Sequence, residues 1–250
     1  MHVRAVAIIP VRFASTRLPG KALASLDGRP MIRHVAERTC QARTVARVIV
    51  ATDDERIAAA VTGTGAEVAM TRADHPTGTD RLAEVARDLE ADVLVNVQGD
   101  LPLLDPAMID RLVRRMAGDP ALPMATLAQP VHDDAEWRSP HVVKVVSDLS
   151  GRALYFSRSP IPCHRDGVRP GTPLGWRHIG MYAYRRDVLL RLADLPPTPL
   201  ESSERLEQLR ALEHGIDIGI ETWMDAEPVI EVDVVEDLER ARAALSGRTT

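Results

Sequence analysis

Apolar runs and helical spacings alternate along most of the chain. Val6 to Ile9 is an apolar run closed by Pro10, and Val48 to Val50 leads in the same way into Ala51-Thr52-Asp53. Runs of this kind read as parallel strands buried on both faces. Between them, Pro30 to Arg43 sets Met31 with Val35 and Ile32 with Ala36 at helical spacing, and Pro30 suits a first helical turn. Together these predict a βαβ unit. A second helix is capped by Thr52-Asp53-Asp54-Glu55 and runs through Ala60, and a short strand covers Glu67 to Met70. Thr77 to Leu89 carries Leu82, Val85 and Leu89 on one helical face, and Val93 to Val97 is a strand leading into Gln98-Gly99-Asp100.

The second half changes character. An amphipathic helix over Asp105 to Met116 is followed by strand runs at Met124 to Pro130 and Val142 to Val146, with turn residues such as Asp148 and Gly151 between close-spaced runs. Residues 130–185 therefore predict an inserted, strand-rich lobe with antiparallel pairing. Within it, 166–176 is rich in Gly and Pro and reads as a loop, and Ile179 to Tyr184 as a strand. Leu200 to Gly215 predicts one helix, with Leu206, Leu209 and Leu212 inward and Gly215 as its stop; Ile216 to Glu221 returns to strand and Glu236 to Leu245 to helix. The expected fold is α/β: one Rossmann-like, doubly wound, mainly parallel sheet carrying the inserted lobe.

Composition narrows the function classes. A chain of 250 residues with 45% hydrophobic and 27% charged residues is an ordinary globular protein. Its net charge of -5 argues against a nucleic-acid surface. No apolar run is long enough to span a bilayer, and Ala5 to Val11 is too short for an export signal, so a cytoplasmic protein without a membrane partner is expected. Cys40 and Cys163, the only cysteines, have no metal-type spacing, and Cys40 reads as core.

Against that acidic background, the loop after the first strand is cationic. Ile8 to Ala22 places Arg12, Arg17 and Lys21 around Pro19-Gly20, with Ser15 and Thr16 as further donors. Three cations beyond the carboxyl end of a strand suit a polyphosphate. Neither a Gly-x-Gly-x-x-Gly loop nor a Walker loop is present, which disfavours dehydrogenase and P-loop readings. Asp100 follows another strand and so lies at the same sheet edge. A carboxylate beside a triphosphate is what Mg2+ uses, with Asp233 as the best second carboxylate. The simpler role for Asp233 is to cap the last helix, although Val234 and Val235 make that cap imperfect.

Several collinear blocks closely resemble the 3-deoxy-manno-octulosonate cytidylyltransferase (CMP-Kdo synthetase) family. They are Ile-Pro-Val-Arg-Phe-Ala-Ser-Thr-Arg-Leu-Pro-Gly-Lys at 9–21, Met-Thr-Arg-Ala-Asp-His-Pro-Thr-Gly-Thr-Asp-Arg-Leu-Ala-Glu at 70–84 and Val-Asn-Val-Gln-Gly-Asp at 95–100. Further blocks follow in order: Leu-Tyr-Phe-Ser-Arg-Ser-Pro-Ile-Pro at 154–162, His178 to Tyr182, Leu206 to Arg210, and Val-Asp-Val-Val-Glu-Asp-Leu-Glu-Arg at 232–240. The resemblance implies joining of CTP to an acidic eight-carbon sugar with release of pyrophosphate. It assigns Arg12, Ser15, Arg17 and Lys21 to the phosphates, and Thr77, Gly78, Thr79 and Asp80 to the nucleotide pocket. Asp100 and Asp233 are assigned to Mg2+, and Gln98, Arg158, Arg165, His178, Tyr182, Glu207 and Gln208 to the sugar. Arg12, Lys21, Asp100 and Asp233 form the implied catalytic set, and the inserted lobe implies a homodimer. No pattern marks a dedicated general base.

Two departures bear on the acceptor. The family usually reads Gln-Gly-Asp-Glu-Pro where this chain has Gln98-Gly99-Asp100-Leu101-Pro102, and Pro-Asn-x-Val-Lys where it has Pro140-His141-Val142-Val143-Lys144. Transfer to a related acidic acceptor, such as an 8-amino analogue or a phosphonate, is therefore a second reading. A catalytically silent nucleotide binder is a third, weighed down by retention of both aspartates.

Overall fold

The structure, a computed structural model, describes residues 3–14, 18–224 and 229–247. The chain forms two compact units, Met1–Arg114 with Val229–Thr250, and Arg115–Pro228.

The first unit begins with β1 (Ala5–Val11), a short hairpin of β2 (Ser25–Leu26) and β3 (Arg29–Pro30), and α1 (Met31–Thr39). It continues through β4 (Arg47–Thr52), α2 (Glu55–Ala60), β5 (Glu67–Met70), α3 (Gly78–Ala86) and β6 (Val93–Asn96). These strands lie in the order β6-β1-β4-β5, every pair parallel. The chain thus winds outward from β1 through β4 to β5, then returns to β6 on the other side of β1. That reversal makes the carboxyl ends of β1 and β6 the topological switch point, where α/β sheets open a crevice for ligands. Ile8, Ile9, Val50, Leu94, Ile32 and Leu82 form its fully buried core.

Pro10 does not end the first strand as expected; it pairs with Ala51 inside β1. Ile8 accepts a hydrogen bond from Val97 at 3.0 Å, and Pro10, two residues on, points to the same edge beyond the last pair with β6. Its missing N–H therefore costs the ladder nothing. Pro30 likewise is not helical but precedes α1 in an extended conformation. α1 stops at Thr39 instead of reaching Arg43, because the backbone amides of Arg43 and Thr44 turn away to donate to Asp110 Oδ1 at 2.8 and 2.9 Å. Cys40, expected in the core, caps α1 half-buried. Helix α4 (Pro106–Gly118) runs across the division between the units.

The second unit contains β7 (Met124–Val131), α5 (Asp134–Arg138), β8 (Lys144–Ser147), β9 (Ala153–Ser157) and β10 (Gly175–Arg185). After these come α6 (Arg186–Asp194), α7 (Pro199–Glu204), α8 (Gln208–Glu213) and β11 (Ile218–Thr222). Its pairing is mostly antiparallel, β10 with β7 and β8, and β8 with β9, while β11 runs parallel to β7. The helix expected over Leu200 to Gly215 is two helices, broken at Arg205, which adopts φ 52°. Glu204 causes the break: its carboxylate accepts from Ser157 Oγ at 2.6 Å and Arg158 N–H at 2.9 Å, and it is drawn toward β9. The expected 166–176 loop is overrun at its end by β10, which begins at Gly175.

Finally, α9 (Val235–Gly247) returns to the first unit, where Val232, Leu238 and Ala241 pack with Leu26 and Met31. This return sets Asp233, more than a hundred residues past Asp100, beside it.

Candidate active site

At the switch point a cleft of about 280 Å³ opens, lined from β1 by Pro10, Val11 and Arg12, from the β6 loop by Gln98, Gly99 and Asp100, and from the C-terminal segment by Asp233. Gly99 is required there: a Cβ on it would overlap Val11 Cγ2, so only glycine lets the β6 loop lie against the end of β1. Gly20, at φ 67°, turns the chain into a single 3-10 turn that begins with Lys21.

Lys21 Nζ stands between two carboxylates, donating to Asp100 Oδ2 at 2.8 Å and Asp233 Oδ1 at 3.1 Å. Burial works against the ammonium, but the two carboxylates, Asp100 foremost, outweigh it and raise the Lys21 pKa above its ordinary 10.5. Asp237, in the first turn of α9, holds this segment, its Oδ2 accepting from the Asp233 and Val234 amides at 2.9 and 3.0 Å. The Val232 amide also donates to the Asp100 carbonyl at 2.9 Å, tying the two aspartate segments together.

The opposite wall is the start of α3. Thr77 and Gly78 line the cleft, so the amide-rich N-terminus of a nine-residue helix faces it. Asp80 closes a capping box, accepting from the Thr77 amide at 3.0 Å and the Thr77 hydroxyl at 2.8 Å; Thr79 is buried. Asp80 thus shapes the helix end that the cleft uses. Arg81 and His75, to which the sequence assigned no role, complete this wall. Arg81 is 2% exposed and pairs with Asp53 at 3.5 Å, and His75 Nε2 donates to Glu84. Both lie in the second resemblance block, the only signal that marked them.

Arg12 lines the cleft with its side chain exposed, whereas Ser15 and Arg17 lie outside the described residues. Gln98, expected on the sugar side, lines the same cleft as Lys21. Leu101 does not face the crevice: it is fully buried, so an apolar residue there is a core residue and leaves the cleft wall unaltered.

The remaining expected residues lie in the second unit. His178 Nε2 is 2.9 Å from Thr126 Oγ1, whose hydroxyl donates in turn to the Met181 carbonyl at 2.7 Å, inside the bulge between β10 and β7. His178 therefore donates through Nε2–H and presents a bare Nδ1. Its ring is enclosed by Phe156 and Tyr182, at 5.2 and 5.3 Å between centroids. Burial, with a lesser contribution from the Arg177 cation, pushes the His178 pKa down to about 3. A base that weak stays neutral near pH 7 and accepts hydrogen bonds there without taking a proton. Gln208 is buried, and its amide nitrogen has no hydrogen-bond partner among the described residues. Glu207 precedes α8, and Arg165 is exposed.

Arg158 is tethered to backbone. Its guanidinium donates to the carbonyls of Glu204 at 2.7 Å, Pro140 at 2.9 Å and Arg205 at 3.4 Å. Below it is Lys144, fully buried, its ammonium donating to the carbonyls of Ser139, Val142 and Arg158 at 2.8, 2.6 and 2.6 Å. Lys144 was legible only as the last residue of a resemblance block; His141 beside it is exposed.

As a cation site, Asp100 and Asp233 are fitting. They are hard oxygen donors that already converge on one positive charge, and magnesium usually takes one or two carboxylates plus phosphate oxygens and water. Among the described residues no group of three or more metal-ligating side chains occurs, so such an ion would be completed by the nucleotide and solvent.

A switch-point cleft with a basic loop, a helix N-terminus and paired carboxylates defines a nucleotide-handling α/β enzyme. Residues 6–218 match the cytidylyltransferase family model. The 3-deoxy-manno-octulosonate cytidylyltransferase of Geobacter sulfurreducens is 54% identical over 94% of this chain and 96% of its own length; that of Syntrophotalea carbinolica is 53% identical over 96% and 98%. The solved structure of CMP:2-keto-3-deoxy-manno-octonic acid synthetase complexed with CTP superposes with a TM-score of 0.90 at 45% identity, covering 98% of this chain and 99% of that one. A 4-diphosphocytidyl-2C-methyl-D-erythritol synthase from Anaerococcus prevotii, 13% identical with a TM-score of 0.65, shares the fold. The chain belongs to the cytidylyltransferase family, among the 3-deoxy-manno-octulosonate cytidylyltransferases.

Proposed function

We propose that this enzyme transfers CMP from CTP to 3-deoxy-manno-octulosonate, giving the CMP-sugar and pyrophosphate. The observation that carries the reading is the convergence of Asp100 and Asp233 on Lys21 at the switch point of a chain belonging to this family. Arg12, Lys21 and the N-terminus of α3 hold the triphosphate, with Arg17 and Ser15 assigned by resemblance. Asp100 and Asp233 hold Mg2+, which when bound neutralises phosphate charge.

In the reaction the anomeric hydroxyl oxygen attacks the α-phosphorus, the bond to the bridging β-oxygen breaks, and the hydroxyl proton leaves to solvent. Lys21 and Arg12 offset the charge that collects on the pyrophosphate. The acidic sugar is assigned to Gln98, Arg165, His178, Tyr182, Glu207 and Gln208, with the bare Nδ1 of His178 accepting from a sugar hydroxyl and the Gln208 amide donating. Arg158, which also donates to the carbonyls of Glu204 and Pro140, is assigned to the same side by resemblance. A homodimer built on residues 130–185 and a cytoplasmic location complete the proposal; no helix among the described residues is long and apolar enough to cross a membrane.

Pyrophosphate release from CTP across an acceptor panel tests it. Turnover is expected with 3-deoxy-manno-octulosonate, above its 8-amino analogue and phosphonate acids. Turnover with one of those alone would replace the proposed acceptor, and none with any would favour a silent binder.

A further inference from the structure

The two carboxylates assigned to the metal face a cation that belongs to the chain. Lys21 donates to both, at 2.8 and 3.1 Å, in a cleft where all three side chains are largely shielded, with relative exposures of 18%, 25% and 34%. Unlike a surface pair, which solvent weakens, this arrangement sets one shielded ammonium against two converging negative charges. A divalent ion seated between the same two carboxylates meets the ammonium at close range, and the repulsion between the two positive charges favours displacement of the ammonium.

Resting on the reading of Asp100 and Asp233 as the metal pair, we propose that Lys21 is a placeholder cation: it occupies the metal position until nucleotide arrives, then exchanges onto the triphosphate. In the nucleotide-free enzyme, metal must break two charge-assisted hydrogen bonds without offering Lys21 another anion, so metal alone binds weakly. When CTP enters, its phosphates accept the ammonium while the metal takes the carboxylates. Each ligand thereby relieves the other's cost, and the coupling is reciprocal. The four-carbon stem of a lysine lets its ammonium swing from one anion to another. The exchange keeps the carboxylates together and paired in the empty enzyme, and it disfavours retention of metal without substrate.

The test is calorimetric titration of Mn2+ into nucleotide-free protein, with no turnover involved. Lys21→Met should bind Mn2+ at least about tenfold more tightly than the wild type, because the competing charge is gone. It should also melt at a lower temperature without metal and regain most of the loss when Mn2+ is added. Lys21→Gln, which keeps a donor and removes the charge, should behave likewise and serves if the methionine variant does not fold. The double variant Lys21→Met with Asp100→Asn should lose the gain. Equal or weaker Mn2+ binding in both single variants, with binding still abolished by Asp100→Asn, would overturn the placeholder role and leave the metal pair standing. Tight binding that survives in the double variant would overturn the metal pair itself.

Discussion

Two clusters of charged side chains, one in each unit, are used in opposite ways. In the first, Lys21, Asp100 and Asp233 come from three distant segments and meet at the open end of a parallel sheet, facing the cleft. In the second, Lys144, Arg158 and Glu204 are turned mostly onto backbone: six carbonyl contacts, an amide and two hydroxyls absorb them. Charge gathered at a cleft awaits a ligand, whereas the charge of Lys144 is consumed by carbonyls and serves as scaffold.

Substitution should separate the two kinds. The largest effect belongs to Asp100→Asn, which should lower pyrophosphate release by about a hundredfold or more with the melting temperature little changed. Lys144→Met should do the reverse in kind. Three carbonyls lose their donor, so stability should fall by about 3 kcal/mol in urea denaturation. If Lys144→Met folds as stably as the wild type, the scaffold reading of the second unit fails.

His178 gives a smaller effect, read in pH. Its pKa in the folded chain, about 3, is below the ordinary 6.5, so the unfolded chain binds the extra proton first. Stability from this group is complete above about pH 6.5 and is lost as pH falls toward 3. His178→Gln should flatten the acid limb of the stability curve over that window. The same limb in wild type and variant would mean that the imidazole is not enclosed. Leu101→Met should do least: a change below about 1.5 kcal/mol and an unaltered ranking of acceptors, because the side chain is in the core. A changed ranking would return Leu101 to the crevice.

Much of the first unit was legible because each element there carries its own periodicity and punctuation. β5 falls where its apolar run does, and Asp54 caps α2 through the Arg56 amide. What escaped depended on partners remote in sequence. The break at Arg205 follows from Glu204 reaching β9, and the early end of α1 from Asp110 capturing two amides. β10 passes into α6 without a glycine or proline between Tyr184 and Asp187, so no local signal marks the change. At the site, the aspartates could be named from motif and position, but not that Lys21 bridges them. Nor could sequence tell that Asp237 would hold the Asp233 and Val234 amides, or that the last helix would pack on Leu26 and Met31 and bring Asp233 back to the cleft.

The central claim is chemical, and phosphorus-31 spectroscopy of the enzyme with CTP, Mg2+ and 3-deoxy-manno-octulosonate tests it most directly. The expected result is loss of the three triphosphate resonances, with one new phosphodiester and pyrophosphate appearing in equal amounts. Unchanged CTP, or its conversion to CDP and phosphate, would contradict the account.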